Sequence, residues 1–433
     1  MFNWNEETCA SQESILQRPA IAISTDIKSA TQAILEQVKS DGDDALIKLA
    51  KKFDNVSELD LLVTSNEINQ AEFLLSTQLK TAIDSAYKNI LAFHEIQQPK
   101  DIMLETVPGV LCELKYQAIE SVGIYVPGGS APLPSSVLMQ GVLAQLSGAK
   151  TVVLATPVKN ENKLNPAILY AAKLCGIKKI LKSGGAGAIA ALAFGTKSIP
   201  KVNKIFGPGN AFVTMAKQLV SQQIPGLAID MPAGPSELVV IADQRANSDF
   251  VAADLLSQAE HGADSQVILI SNCEQTIEKT KIALSEQLKT LSRADTAMAA
   301  LENSAFILVD SITQAFEVSA NYGPEHLILQ LGVCDEYLSL VKNAGSVFVG
   351  DYSPESAGDY ASGTNHVLPT YGYSKVYSSL NLLDFYRTYT VQTITKQGLS
   401  NLSSAILPIA ESEGLDAHAR AVSIRLEQGE SNV

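Results

Sequence analysis

ELVVIAD (237–243), SQVILIS (265–271), AFILVD (305–310), HLILQL (326–331) and GSVFVG (345–350) decide the fold. Each is a short, continuous apolar run, and helix-length segments separate them. Strands buried on both faces read this way, whereas a strand with one wet face alternates. Sheets covered by helices on both faces are parallel. Upstream, a second series has the same rhythm: SVGIYVPG (121–128), TVVLAT (151–156), KKILKSGG (178–185) and KIFGPG (204–209). Two series predict an α/β protein with two doubly wound, incomplete Rossmann-like domains and a cleft between them, plus small helical N- and C-terminal segments.

The rest of the chain is read outward from those runs. Ile27, Ala30, Ile34 and Val38 predict a helix through Ser40, capped by Ser24 or Thr25, with Gly42 just past its end. Further helices fit 44–53 and 67–94. DYSPESAGDYASGTNHVLPTYGY (351–373) has no period and predicts a long functional loop or linker. Mostly helical character resumes after Leu380 and ends in a polar tail. The expected layout is an N-terminal helical segment (1–24), a main α/β domain (25–124 and 237–380), an inserted α/β domain (125–236) and a C-terminal tail (381–433).

Composition narrows the class. The 433 residues carry 32 Lys+Arg against 46 Asp+Glu, a formal charge of −14. Such a surface repels nucleic-acid phosphates and anionic membranes, so neither is an expected partner. No apolar run approaches the ~18 residues of a membrane span. MFNWNEETCA (1–10) lacks the features of a secretion signal, so a cytoplasmic location is expected. Cys9, Cys112, Cys175, Cys273 and Cys334 are scattered and odd in number, which reads as reduced thiols.

Several motifs could carry chemistry. Gly185, Gly187 and Ala190 in GGAGAIAALAFG (184–195) outline a dinucleotide-binding G-x-G-x-x-A. No acidic residue lies near position 207, and small residues there equally serve close helix–sheet packing. Of the five histidines, His94 sits beside Phe93 on a helix and reads as structural. His261 follows Gln258 by three residues, so both project from one helix face. With Asp359 they could hold a metal; alternatively, His261 and Gly262 simply end the helix. Glu325 and His326 precede a buried strand and offer two bases that can work in turn, or a solvent-facing pair. His418, five residues after Glu413, reads alone as a surface histidine. DMPAGPSE (230–237) and FGPGN (206–210) are turns whose amides could meet a ligand.

In order along the chain, YVPGGSAPLPSSVLM (125–139), KIFGPGNAFVT (204–214), IDMPAGPSE (229–237), DLLSQAEHGADSQVIL (254–269), YGPEHLI (322–328) and GDYSPESAGDYASGTNHVLPT (350–370) resemble the histidinol dehydrogenase family, essentially end to end. The resemblance implies four-electron oxidation of L-histidinol to L-histidine through L-histidinal, with two NAD, one water and one zinc per subunit, as the last step of L-histidine biosynthesis. It implies zinc ligands Gln258, His261, Asp359 and His418, and an acid/base pair Glu325 and His326. Substrate contacts would come from Ser236, Glu413, His326 and the zinc ligands. Dinucleotide contacts would come from Tyr125, Gly187 and Asn210, in the inserted domain. It also implies a homodimer with shared active sites, Glu413 and His418 reaching the neighbouring subunit. The family usually has Gln where this chain has Gly187, which bears on one cofactor side-chain contact and leaves the other positions intact.

The residues themselves suit that chemistry. Hydride removal from a primary alcohol needs a base for the hydroxyl proton, and an imidazole titrating near about 6.5 is matched to it. Oxidising the aldehyde needs activated water, a task for Glu325. Zinc could polarise the reacting oxygen or, the favoured reading, act as a template for the substrate's nitrogens. Three other readings compete on sequence alone: a thiohemiacetal route through cysteine, a metal-dependent hydrolase using the same ligand set, and a non-enzymatic two-lobed binding protein.

Overall fold

Every apolar run of the two series forms a strand. In chain order the strands are β1 (Phe2–Asn3), β2 (Ile102–Val107), β3 (Val110–Ala118), β4 (Ser121–Tyr125), β5 (Thr151–Thr156), β6 (Lys179–Lys182), β7 (Lys204–Phe206), β8 (Ala228–Ile229), β9 (Glu237–Ala242), β10 (Gln266–Ser271), β11 (Ala305–Leu308), β12 (His326–Gln330), β13 (Ser346–Val349) and β14 (Tyr386–Ile394). The structure, a computed structural model, describes residues 1–19, 25–56, 60–128, 132–158, 163–231 and 234–427. Ser24, one of the two expected caps, lies outside them; the first long helix runs Thr25–Asp41.

Two parallel sheets result, ordered β1-β11-β10-β9-β12-β13 and β6-β5-β4-β7-β8. All residues of β9, β10 and β12 are buried, the two-sided burial that their uninterrupted apolar runs signal. Apart from the edge strand β1, in each sheet the chain begins centrally, builds to one side and then returns to the other. The order therefore reverses between β9 and β12, and between β4 and β7.

The chain groups into two units: Met1–Gln97 with Glu120–Asp384, which holds both parallel sheets, and Gln98–Ile119 with Phe385–Val433. This differs from the expected layout. Helices Thr25–Asp41 and Asp43–Phe53 pack with the 121–229 sheet: Leu35, Val38 and Leu46 share a core with Ala188, Ile189 and Leu192. The Ala/Gly-rich helix Gly185–Phe194 admits them closely, since a Cβ on Gly187 would stand 2.9 Å from Leu49 Cδ1. Position in the chain carries no information about which apolar face a helix will meet. The expected helix over 67–94 is also interrupted. Ser65–Gln70 ends early, and Ser76 starts Thr77–Glu95 by accepting from the Leu79 N–H (3.2 Å). Nor is 1–24 purely helical, because β1 extends the sheet beyond β11, ahead of helix Cys9–Ile15.

His94 is structural in this unit. It is 1% exposed, Nδ1 meets Gln97 Oε1 at 3.1 Å, and Nε2 has no hydrogen-bond partner among the described residues. Burial lowers its pKa, so folded protein binds the proton less readily than unfolded chain. Its contribution to stability is therefore complete above about pH 6.5 and is lost as pH falls through the folded value. His94→Leu should flatten the dependence of Tm on pH between neutrality and about pH 5; an unchanged slope would count against this role.

The second unit is an antiparallel sheet, β14-β3-β2, with helices Lys396–Ser412 and Asp416–Glu427. The sequence reading expected mostly helix after Leu380 and assigned no strand to 386–394. β14 pairs with β3 along its whole length, from Tyr386 opposite Ala118 to Ile394 opposite Val110. Its Tyr, Thr, Val and Ile content is the signal that was available. The β2–β3 turn uses Gly109 at φ +85°, where a Cβ would strike Thr395 Oγ1. Ile102, Met103 and Leu104 of β2 are all more than half exposed. No helix of the described residues is long and apolar enough to cross a membrane.

Candidate active site

A cleft of about 630 Å³ lies in the first unit, lined by Pro127, Gly207 and Asn210 on one side and by Ser236, Glu325 and His326 on the other. The first three follow β4 and β7, at the carboxyl ends where that sheet reverses order, the usual crevice of an open α/β sheet. The other three sit at the amino ends of β9 and β12. The acid/base candidates are thus aimed by strand register at the sheet's opposite end: His326 lies level with Leu238 and Ser346.

Both candidates are held by the backbone of Glu237. Its N–H donates to Glu325 Oε2 (2.9 Å), and its carbonyl accepts from His326 Nδ1 (3.1 Å). A carbonyl can only accept, so Nδ1 carries the hydrogen, and in the neutral ring Nε2 is the free base. Nε2 lies 3.7 Å from Asp359 Oδ1 and makes no hydrogen bond among the described residues. Burial pushes Glu325 up to about 7. Burial works against a charge on His326, but Glu355, Glu325 and Asp359 outweigh it and hold the ring up at about 10.

Asp359 and Glu355 stand four apart on the short helix Glu355–Tyr360 and so share a face. With His261 they form a cluster whose potential ligand atoms all lie within 4.8 Å of one another. Glu355 is 1% exposed, and burial pushes its carboxyl up. Sequence reading missed Glu355, although the E-x-x-x-D spacing was there to be read. The surrounding Gly, Ser and Pro made the whole stretch look like loop. Gln258 closes helix Ser248–Ala259 and is fully buried. Its neighbours orient the amide: the nitrogen donates to Glu355 and the oxygen accepts from the Glu237 N–H (3.0 Å). It therefore meets the cluster through Glu355. His366, a histidine given no role from sequence, meets the Asp359 carbonyl through Nδ1 (2.8 Å) and Ser136 through Nε2 (3.2 Å).

The remaining candidates are placed as follows. Asn210 lines the cleft and caps helix Ala211–Gln223 by accepting from the Val213 N–H (3.2 Å). Buried Lys217 donates to the Gly207 carbonyl (2.7 Å) and to Asp230, bracing the same turn. Tyr125 is buried, and its hydroxyl accepts from the Gly185 N–H (3.1 Å). Gly187 is buried in its helix. Glu413 and His418 belong to the second unit, where both are exposed.

Among the described residues no cysteine lines the cleft, and burial pushes the Cys175 thiol up, away from the reactive thiolate. Replacing each cysteine singly by Ala should leave most of the activity. Loss of turnover in any one folded variant would revive the thiohemiacetal route.

Residues 16–426 match the family model for histidinol dehydrogenase. The chain belongs to the histidinol dehydrogenase family. It is 70% identical to histidinol dehydrogenase of Pseudoalteromonas translucida and 56% identical to that of Colwellia psychrerythraea, each alignment covering 99% of both chains. Among solved structures, histidinol dehydrogenase from Elizabethkingia anophelis matches with a TM-score of 0.95 at 48% identity, over 98% of both chains. Histidinol dehydrogenases are oxidoreductases, and the matched stretch takes in every candidate residue described above.

Proposed function

We propose that this chain oxidises L-histidinol to L-histidine through L-histidinal, the last step of L-histidine biosynthesis, with two NAD and one zinc per subunit, as a cytoplasmic homodimer. The observation that carries this reading is the commitment of His326 Nδ1 to the Glu237 carbonyl, which leaves Nε2 as a base at the cleft beside Glu325.

One imidazole and two carboxylates, gathered around buried Glu355, are a donor set that suits zinc. Gln258, His261 and Asp359 would hold it with the partner's His418, and Glu355 completes the cluster around Gln258. Bound zinc would supply a template for the substrate's amine and imidazole nitrogens. Tyr125, Gly187 and Asn210 would border NAD, which accepts one hydride in each step. Ser236 and the partner's Glu413 would contact substrate.

His326 Nε2 takes the hydroxyl proton as the alcohol carbon gives up its hydride, leaving the aldehyde. Glu325 then takes a proton from the water whose oxygen attacks the aldehyde carbon. After releasing its first proton, His326 takes a hydroxyl proton of the resulting hydrate as the second hydride departs, leaving the carboxylate. Two of the three carboxylates that hold His326 protonated, Glu355 and Asp359, are those a cation would engage, which would draw His326 back toward its ordinary range.

Incubating the protein with L-histidinol and NAD should yield two NADH per histidinol. Chelation should abolish turnover and zinc should restore it; full turnover by demonstrably metal-free protein would rule out the zinc requirement.

A further inference from the structure

We propose that Arg18 is a positioning residue for the Glu325–His326 pair, acting through Glu237. The proposal rests on the roles given to that pair above. Glu237 joins two sets of contacts. Its backbone holds both candidates, as described. Its carboxylate is 2% exposed at the side chain and is gripped from outside the strand. Arg18 donates through Nε to Oε1 (2.5 Å) and through Nη2 to Oε2 (2.9 Å), a two-point fork. The Tyr371 N–H adds a third donor to Oε1 (2.7 Å).

The same guanidinium reaches the chain entering β12. Nη2 also donates to the carbonyls of Tyr322 (2.9 Å) and Gly323 (3.1 Å), and the group lies 3.8 Å from the centroid of the Tyr322 ring. Arg18 thus joins the first residue of β9 to the segment two residues ahead of Glu325. It does not line the cleft, so it touches no substrate. Without it, a buried carboxylate keeps only backbone amide donors and loses its counter-charge, a costly arrangement. Glu237 must then shift toward water or a new donor, and its N–H and carbonyl move with it. Small displacements of catalytic groups lower turnover while leaving binding surfaces in place.

Arg18→Ala and Arg18→Lys, prepared as full-length zinc-loaded protein, test this. For Arg18→Ala, kcat should fall by about 10–100-fold, with KM for histidinol within about threefold of wild type and zinc content unchanged. Millimolar methylguanidinium should restore part of kcat to Arg18→Ala and leave wild type unaffected. Arg18→Lys keeps the charge but not the fork, and should lose at least about threefold in kcat at an unchanged Tm. The proposal is overturned if folded Arg18→Ala keeps kcat within about twofold of wild type, or if its loss lies in KM and methylguanidinium recovers nothing. Should Arg18→Ala fail to fold, Arg18→Lys decides by the same twofold limit on kcat. Wild-type protein that forms no NADH from histidinol overturns the functional reading itself, and this proposal with it.

Discussion

His326→Asn should depress NADH formation from L-histidinol and from L-histidinal alike, by about 10²–10⁴-fold. The substitution isolates the base. An Asn amide can still donate to the Glu237 carbonyl, as Nδ1 does at 3.1 Å, but nothing replaces Nε2. Both oxidations remove a hydroxyl proton, so both depend on that atom. Glu325→Gln should divide them. Gln keeps an oxygen to accept the Glu237 N–H, so the local fold survives, but it cannot take a proton from water. Only the aldehyde step consumes water, so histidinal oxidation should fall further than histidinol oxidation. The check is to assay each half-reaction separately in both variants. Equal losses for Glu325→Gln would contradict the division of labour.

The largest recovery of activity is expected from mixing two dead proteins. His326→Asn removes the base and His418→Ala removes the ligand proposed to come from the neighbouring subunit. Unfolded together and refolded, random pairing makes half of the dimers heterodimers. In a two-fold dimer with shared sites, each heterodimer has one site carrying both defects and one carrying neither, so activity should return to about a quarter of wild type. The second unit gives a physical reason to expect close association. Ile102, Met103 and Leu104 of β2 stand out in solvent, and among the described residues Val110, Phe385, Ala410 and Val422 are its few buried apolar ones. A unit this thin gains from cover by a second copy. If instead the tail served its own subunit, every site would retain one defect and mixing would restore nothing. No recovery in verified heterodimers would dispose of the shared site.

The sequence by itself determined the two parallel sheets. ELVVIA and HLILQ carry uninterrupted apolar runs, LVVIA and LIL, and only a strand covered on both faces tolerates that. It also marked Glu325, His326, Gln258, His261 and Asp359, because their types and spacings are chemically unusual along the chain. Tertiary structure decided the rest. It packed 25–53 against the Ala/Gly-rich helix 185–194, where only contact between distant faces selects a partner. It paired 110–118 with 386–394 across more than 260 intervening residues. It brought Glu355 beside His261, and it set Arg18 on a carboxylate 219 positions away. Periodicity and capping act over a few residues and can be read locally. Which buried acid meets which donor depends on how separate segments desolvate one another, and that becomes defined only in the folded chain.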